Sequence, residues 1–114
     1  MKLAIIGSRI FLDYELLKQE VDKLSDIEMI ISGGAKGADS LGVRYAKEKG
    51  IKYIEYLPEW NKYGNSAGFI RNNDIINNCD CVLAFWVGSS KGTKHAIDLA
   101  EKLGKDIKII KKGE

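Results

Sequence analysis

The chain has 114 residues, 45% of them hydrophobic, which suits one compact core and leaves no room for a second domain of useful size. Its formal net charge is +2, from 18 basic and 16 acidic residues that are interspersed, so bulk electrostatics argue against a nucleic-acid partner. No apolar run approaches membrane-spanning length, no charged leader opens the chain, and its two cysteines stand too close for an ordinary disulfide, so a cytoplasmic protein without signal peptide, membrane contact or disulfide framework is expected.

Leu3-Ala4-Ile5-Ile6 is a continuous apolar run ended by Gly7, the pattern of a strand buried on both faces of a parallel sheet. Gly7-Ser8-Arg9 then turns. Asp13 suits a helix N-cap, and Leu16, Leu17, Val21 and Leu24 form an apolar stripe, which predicts a first helix from about Asp13 to Leu24. A second strand, about Glu28 to Ile31, runs into the turn Ser32-Gly33-Gly34-Ala35-Lys36-Gly37. Ala38, Leu41, Gly42 and Tyr45 then share one face of a second helix that Gly50 stops.

The third strand is predicted over Lys52 to Leu57. Pro58 to Ser66 is a long connection holding Trp60, Tyr63 and Gly64, and its length points to a functional segment or a lid. A third helix, about Ala67 to Asn78, is rich in asparagine, a middling helix former, so Arg71 and Asn72 near its start suit contacts better than propensity. Cys81 to Val87 is a fourth buried strand, with Cys79 and Cys81 as small core residues at its start. Gly88-Ser89-Ser90-Lys91-Gly92-Thr93 makes a second small-residue turn, with Thr93 as helix N-cap or as a direct phosphate ligand. Ala96, Leu99, Ala100 and Leu103 mark a fourth helix ended by Gly104, and Ile107 to Ile110 a fifth strand before a basic frayed tail.

Five strands alternating with four helices predict an α/β fold, a Rossmann-like three-layer sandwich on a five-stranded parallel sheet of order 3-2-1-4-5. In that order the switch point lies between the first and fourth strands, where ligands bind beyond the carboxyl ends. The turns at Gly7, Gly33 and Gly88 all fall on that edge.

The spacing of Gly33, Gly34 and Gly37 is neither the dinucleotide fingerprint nor the P-loop, so a generic NAD site and a nucleoside triphosphatase are disfavoured. A glycine turn entering a helix still offers unpaired amides and a favourable dipole to an anion, although a tight turn without a ligand has the same pattern. Asp39, in the first helical turn, braces the turn by accepting amide hydrogen bonds or else takes ribose hydroxyls; bracing is the preferred reading. Arg9 and Arg71 are fork-shaped cations suited to phosphate, and Trp60 to stacking on a base. His95 is the only histidine, better read as structural or as a polar ligand contact than as a catalyst. Asp39, Glu59, Asp74 and His95 are the weak candidates for acid–base work, and no metal-ligand set is expected.

In order along nearly the full length, Gly7-Ser8-Arg9 with Asp13, Ser32 to Asp39, Pro58-Glu59-Trp60 with Tyr63-Gly64, Ala67-Gly68 with Arg71-Asn72, Ala84-Phe85-Trp86 with Gly88, and Gly92-Thr93 add up to a pattern. That pattern resembles the SLOG superfamily, and most closely its small stand-alone YspA-like (YpsA-related) branch. The resemblance implies a Rossmann-like domain over residues 1–114 that binds nucleotides or nucleotide-derived signals of the ADP-ribose type. The related cytokinin-activating phosphoribohydrolases carry a P-G-G-x-G-T-x-x-E motif whose glutamate serves cleavage of the N-glycosidic bond. Here Ala96 takes the glutamate's place, which removes the acid or base from that spot. The DNA-processing proteins of natural transformation carry a similar glycine turn and bind single-stranded DNA, but this chain lacks their extra domains and any marked basic excess.

The expectation is therefore a module that binds a small nucleotide derivative, to sense or sequester it, needing no further cofactor, with a homo-oligomer compatible with the loops. An N-glycosidic or phosphoryl hydrolase is the alternative and single-stranded nucleic-acid binding the third reading. The expected ligand-binding residues are Gly7, Ser8, Arg9, Ser32, Gly33, Gly34, Ala35, Lys36, Gly37, Asp39, Trp60, Arg71, Asn72, Gly88, Gly92 and Thr93.

Overall fold

Residues 1–112 are described in the computed structural model; Gly113 and Glu114, part of the tail expected to be basic and frayed, lie outside the described residues. The elements follow as strand β1 (Lys2–Gly7), helix α1 (Tyr14–Asp22), β2 (Met29–Ser32), α2 (Ala38–Lys49) and β3 (Lys52–Glu55). A single helical turn, α3 (Trp60–Tyr63), a 3₁₀ turn (Gly64–Ser66), α4 (Ala67–Asn77), β4 (Cys81–Val87), α5 (Lys91–Lys102) and β5 (Asp106–Lys112) complete the chain. The sheet has five strands in the order β3-β2-β1-β4-β5, every pair parallel, as the strand pattern predicts.

The continuous apolar runs are explained by burial on both faces. Leu3 and Ile5 of β1, Ile30 of β2 and Leu83 and Phe85 of β4 point into one core with Phe11, Leu17 and Val21 and the α2 residues Tyr45 and Ala46. Ala4 and Ile6, Ile31, Val82 and Ala84 point the other way, onto Ile75 and Ile76 of α4 and Ala96, Ile97 and Ala100 of α5. The side on which the crossover helices lie therefore switches between β3 and β4. The carboxyl ends of β1 and β4 are neighbours at that switch and open a crevice there.

Caps are where local chemistry speaks most clearly. Asp13 is the N-cap of α1, its carboxylate accepting from the Leu16 amide at 3.1 Å, and Gly50 ends α2 in the left-handed region. The N-cap of α5 is Ser90 rather than Thr93: Ser90 Oγ accepts from the Thr93 amide at 3.3 Å, so the helix begins at Lys91 and takes in residues expected in the turn. Strand β3 stops at Glu55 instead of Leu57, because Glu55 pairs with Ser32, the last residue of β2, and no ladder partner remains. Lys111 and Lys112 do not fray but continue β5 opposite Trp86 and Val87, with Lys112 on the Asp13 carboxylate at 2.5 Å. The long connection after β3 carries two short turns of helix.

Two leucines of one segment separate packing from surface. Leu17 is fully buried, whereas Leu12 is 78% exposed. Leu17→Ala is expected to lower the unfolding free energy by about 3 kcal/mol and Leu12→Ala by less than about 0.5 kcal/mol, measured by urea titration.

Candidate ligand-binding site

Loops and helix starts from four parts of the chain meet at the crevice. The loop after β1, the start of α2, the segment from Trp60 to Ile75 and the loop from Val87 into α5 enclose a cavity of about 530 Å³, a size that suits a nucleotide-sized ligand. The bends around Ala35 and Gly92 thus face one space, and the gap between them is open.

The first bend is built tightly. Gly37 has φ 79°, and a side chain there would collide with the carbonyl oxygens of Ser8 and Arg9, so the bend is drawn against the loop after β1. Ser8 is buried and serves that junction: its hydroxyl donates to the Val87 carbonyl at 3.0 Å and accepts from the Val87 amide at 2.9 Å, joining the ends of β1 and β4. Ser32, also buried, donates to the Asp39 carbonyl at 3.0 Å and accepts from the Gly34 amide at 3.1 Å.

Asp39 fills the middle of this bend. Its carboxylate accepts from the Ala35 amide at 3.4 Å, with the Gly33 and Gly7 amides also directed at it and the Arg71 guanidinium alongside. Burial pushes its carboxyl up to about 6, against the opposing pull of Arg71 and the amides. A Cβ on Gly33 would lie 2.6 Å from Asp39 Oδ2 and against the Arg71 guanidinium, so only glycine lets these groups approach the backbone. Arg71 donates to the Gly33 carbonyl and, at 3.4 Å, to the Tyr56 carbonyl, which pins α4 to the bend. The Ala38 amide donates to the Ser8 carbonyl at 3.3 Å. The amides expected to cradle a phosphate here are largely turned on the chain's own acceptors.

The second bend is different. Gly88 and Ser89 are exposed, and Lys91 and Gly92 open α5, where the first amides have no intrahelical acceptor. Asn72 holds this bend from behind, donating to the Gly92 carbonyl at 3.4 Å and meeting His95 Nδ1 at 3.2 Å, while its own carbonyl accepts from Arg71 Nε at 3.1 Å. Arg9 stands exposed on the cavity wall.

Apolar groups line the remaining side. Trp60 is half exposed and lies over Gly68, and Phe69, 45% exposed, packs on the His95 ring at 4.6 Å. Ile10, Asn65, Phe69 and Ser90 also line the cavity and were missed from the sequence. A signal existed for Phe69: it precedes Asn72 by three residues and so shares its helix face.

Gly7, Ser8, Arg9, Ala35, Asp39, Trp60, Arg71, Asn72, Gly88, Gly92 and Thr93 all line the cavity. Ser32, Gly33, Gly34 and Gly37 shape the bend rather than border the space, and Lys36 is exposed outside the lining. Among the acid–base candidates only Asp39 borders the cavity; His95 faces Phe69 and Asn72, and Glu59 and Asp74 are exposed elsewhere. Ala96, in the glutamate's place, is buried in the cavity floor.

The family model described as the YspA, cpYpsA-related SLOG family matches residues 1–63. The Gene 61 protein of Mycobacterium phage D29 is 31% identical over 123 aligned positions, which cover 99% of this chain and 97% of that protein. Among solved structures, DNA processing protein A (DprA) from Streptococcus pneumoniae is similar with a TM-score of 0.60 and 19% identity, over 94% of this chain. The chain spans 58% of that structure's chain, and at this identity the likeness is one of fold.

The folded pKa of Asp39, about 6, lies above its ordinary value of 3.8, so between these values the native state holds a proton that the unfolded chain has lost. The resulting stabilisation is complete below the lower value and lost as pH rises through the upper one. Asp39→Asn removes this dependence. The unfolding free energy of the variant relative to the unsubstituted protein is expected to rise by about 2 kcal/mol between pH 4 and pH 7, read from paired urea titrations.

Proposed function

The chain belongs to the YspA, cpYpsA-related SLOG family, and from that premise we propose that it binds a nucleotide or nucleotide-derived small molecule, as a sensing or sequestering module. The observation that carries the reading is the cavity at the β1–β4 switch point, with the start of α5 on one side and Trp60 and Phe69 on another. A phosphate group fits against the Lys91 and Gly92 amides, within the positive end of the α5 dipole and near Arg9. A planar base fits against Trp60 and Phe69.

Two further readings each rest on one observation. Asp39 is a carboxyl group with a raised pKa on a cavity wall, which suits an acid or base in hydrolysis of an N-glycosidic or phosphoryl bond. The fold likeness to a DNA-processing protein favours single-stranded nucleic acid as a third ligand class.

Calorimetry with AMP, NAD, ADP-ribose and its cyclic forms tests the proposal. Heat with at least one of them, and recovery of that ligand intact, is the expected result. Recovery of a cleaved product moves the assignment to the hydrolase. Absence of heat throughout, with no small molecule released on denaturing the purified protein, overturns the binding reading, and single-strand affinity that falls steeply with salt then supports the third.

One substitution separates binding from folding. A Cβ on Gly92 meets nothing within 4 Å, and an acidic side chain in the first turn of α5 suits the helix dipole. Gly92→Asp is expected to leave the unfolding free energy within about 0.5 kcal/mol while weakening affinity for a phosphorylated ligand at least ~10-fold through charge repulsion.

A further inference from the structure

We infer that Asp39 is a specificity-determining residue: its carboxylate stands in the first glycine bend as the chain's own anion, so the cavity takes a ligand carrying one phosphate group and rejects one whose pyrophosphate would span both bends. This rests on the binding reading above and narrows its ligand class.

Three observations carry it. The first is occupancy. The Ala35 amide already donates to the Asp39 carboxylate, the Gly33 and Gly7 amides are directed at it, and the space beside Gly33 is too small even for a methyl group. A guest phosphate arriving there finds the Ala35, Gly33 and Gly7 amides already directed at a carboxylate. The second is charge. The cavity wall carries Arg9, Arg71 and Asp39, a net of +1 from two cations and one anion, and Arg71 stands beside Asp39 with its guanidinium held on the Gly33 carbonyl. One exposed guanidinium and one helix start remain, which match a single phosphate. The third is placement. Asp39 and Gly92 border the same cavity, so a pyrophosphate reaching from the start of α5 toward the first bend would set its second phosphate against a buried carboxylate. In that low-dielectric setting, like charges repel strongly.

Titration calorimetry of the full chain with AMP, ADP and ADP-ribose, before and after Asp39→Asn, is the test. AMP is expected to bind at least ~10-fold more tightly than either diphosphate, and the variant to reduce that gap to less than ~3-fold. Equal or tighter binding of ADP or ADP-ribose by the unsubstituted protein overturns the inference while leaving the binding reading intact. So does a folded variant that keeps the full gap. Absence of heat with all three overturns the binding reading and the inference with it. Should the variant fail to fold by circular dichroism, the order of the three ligands on the unsubstituted protein still decides.

Discussion

A buried carboxylate and a guanidinium, each pressed against the backbone of the same glycine, form the arrangement on which the ligand edge of this protein depends. Asp39 comes from the start of α2 and Arg71 from α4, helices that lie on opposite faces of the sheet. Their meeting at Gly33 ties the two outer layers together across the end of β2. Burial raises the proton affinity of Asp39 and lowers that of Arg71, the two effects expected when charged groups leave water, and each partner offsets the other's loss of solvation. A single missing Cβ makes this possible, since a side chain on Gly33 would occupy the place of both charged groups.

That contact makes the cavity asymmetric. Two glycine-containing bends frame it, but only one is left to act on a guest. At the first, Ser8, Ser32 and Asp39 absorb the backbone groups that a sharp turn leaves unpaired. At the second, Ser90 caps α5 through the Thr93 amide, the Lys91 and Gly92 amides have no intrahelical acceptor, and Gly92 borders the cavity. Asn72 stiffens this arrangement by bridging α4 to the Gly92 carbonyl. Phe69 joins these polar contacts to the aromatic side of the cavity, since it packs on the His95 ring that meets Asn72.

The architecture was legible because a doubly wound sheet leaves a strong imprint. Strands buried on both faces must be apolar at consecutive positions, and β1 and β4 are; helices covered on one side must repeat their apolar residues at helical spacing, and α2 and α5 do. Asp13 and Gly50 punctuate their helices for stereochemical reasons that need no tertiary partner. The less legible points were those where several local choices differ little in energy. Ser90 and Thr93 are both competent caps, and which one starts α5 follows from the geometry of the Val87 to Ser90 loop. The tail lysines become strand only because the full length of β4 is there to pair with them.

By itself, then, the order of residues determined the sheet, its switch point and the loops that border it, since each follows from periodicity and from the conformations that glycine and caps allow. It also marked Asp39, Arg71, Trp60 and Gly92 as the residues to watch. Only the tertiary structure decided how they divide the work: that Asp39 and Arg71 both pack against Gly33 in the first bend, that Ser8 and Ser32 turn inward, and that Phe69 and Ile10 join the cavity wall. The physical reason is that hydrogen-bond partners and burial belong to pairs of segments far apart in the chain. A donor's fate is settled by which acceptor the fold carries to it.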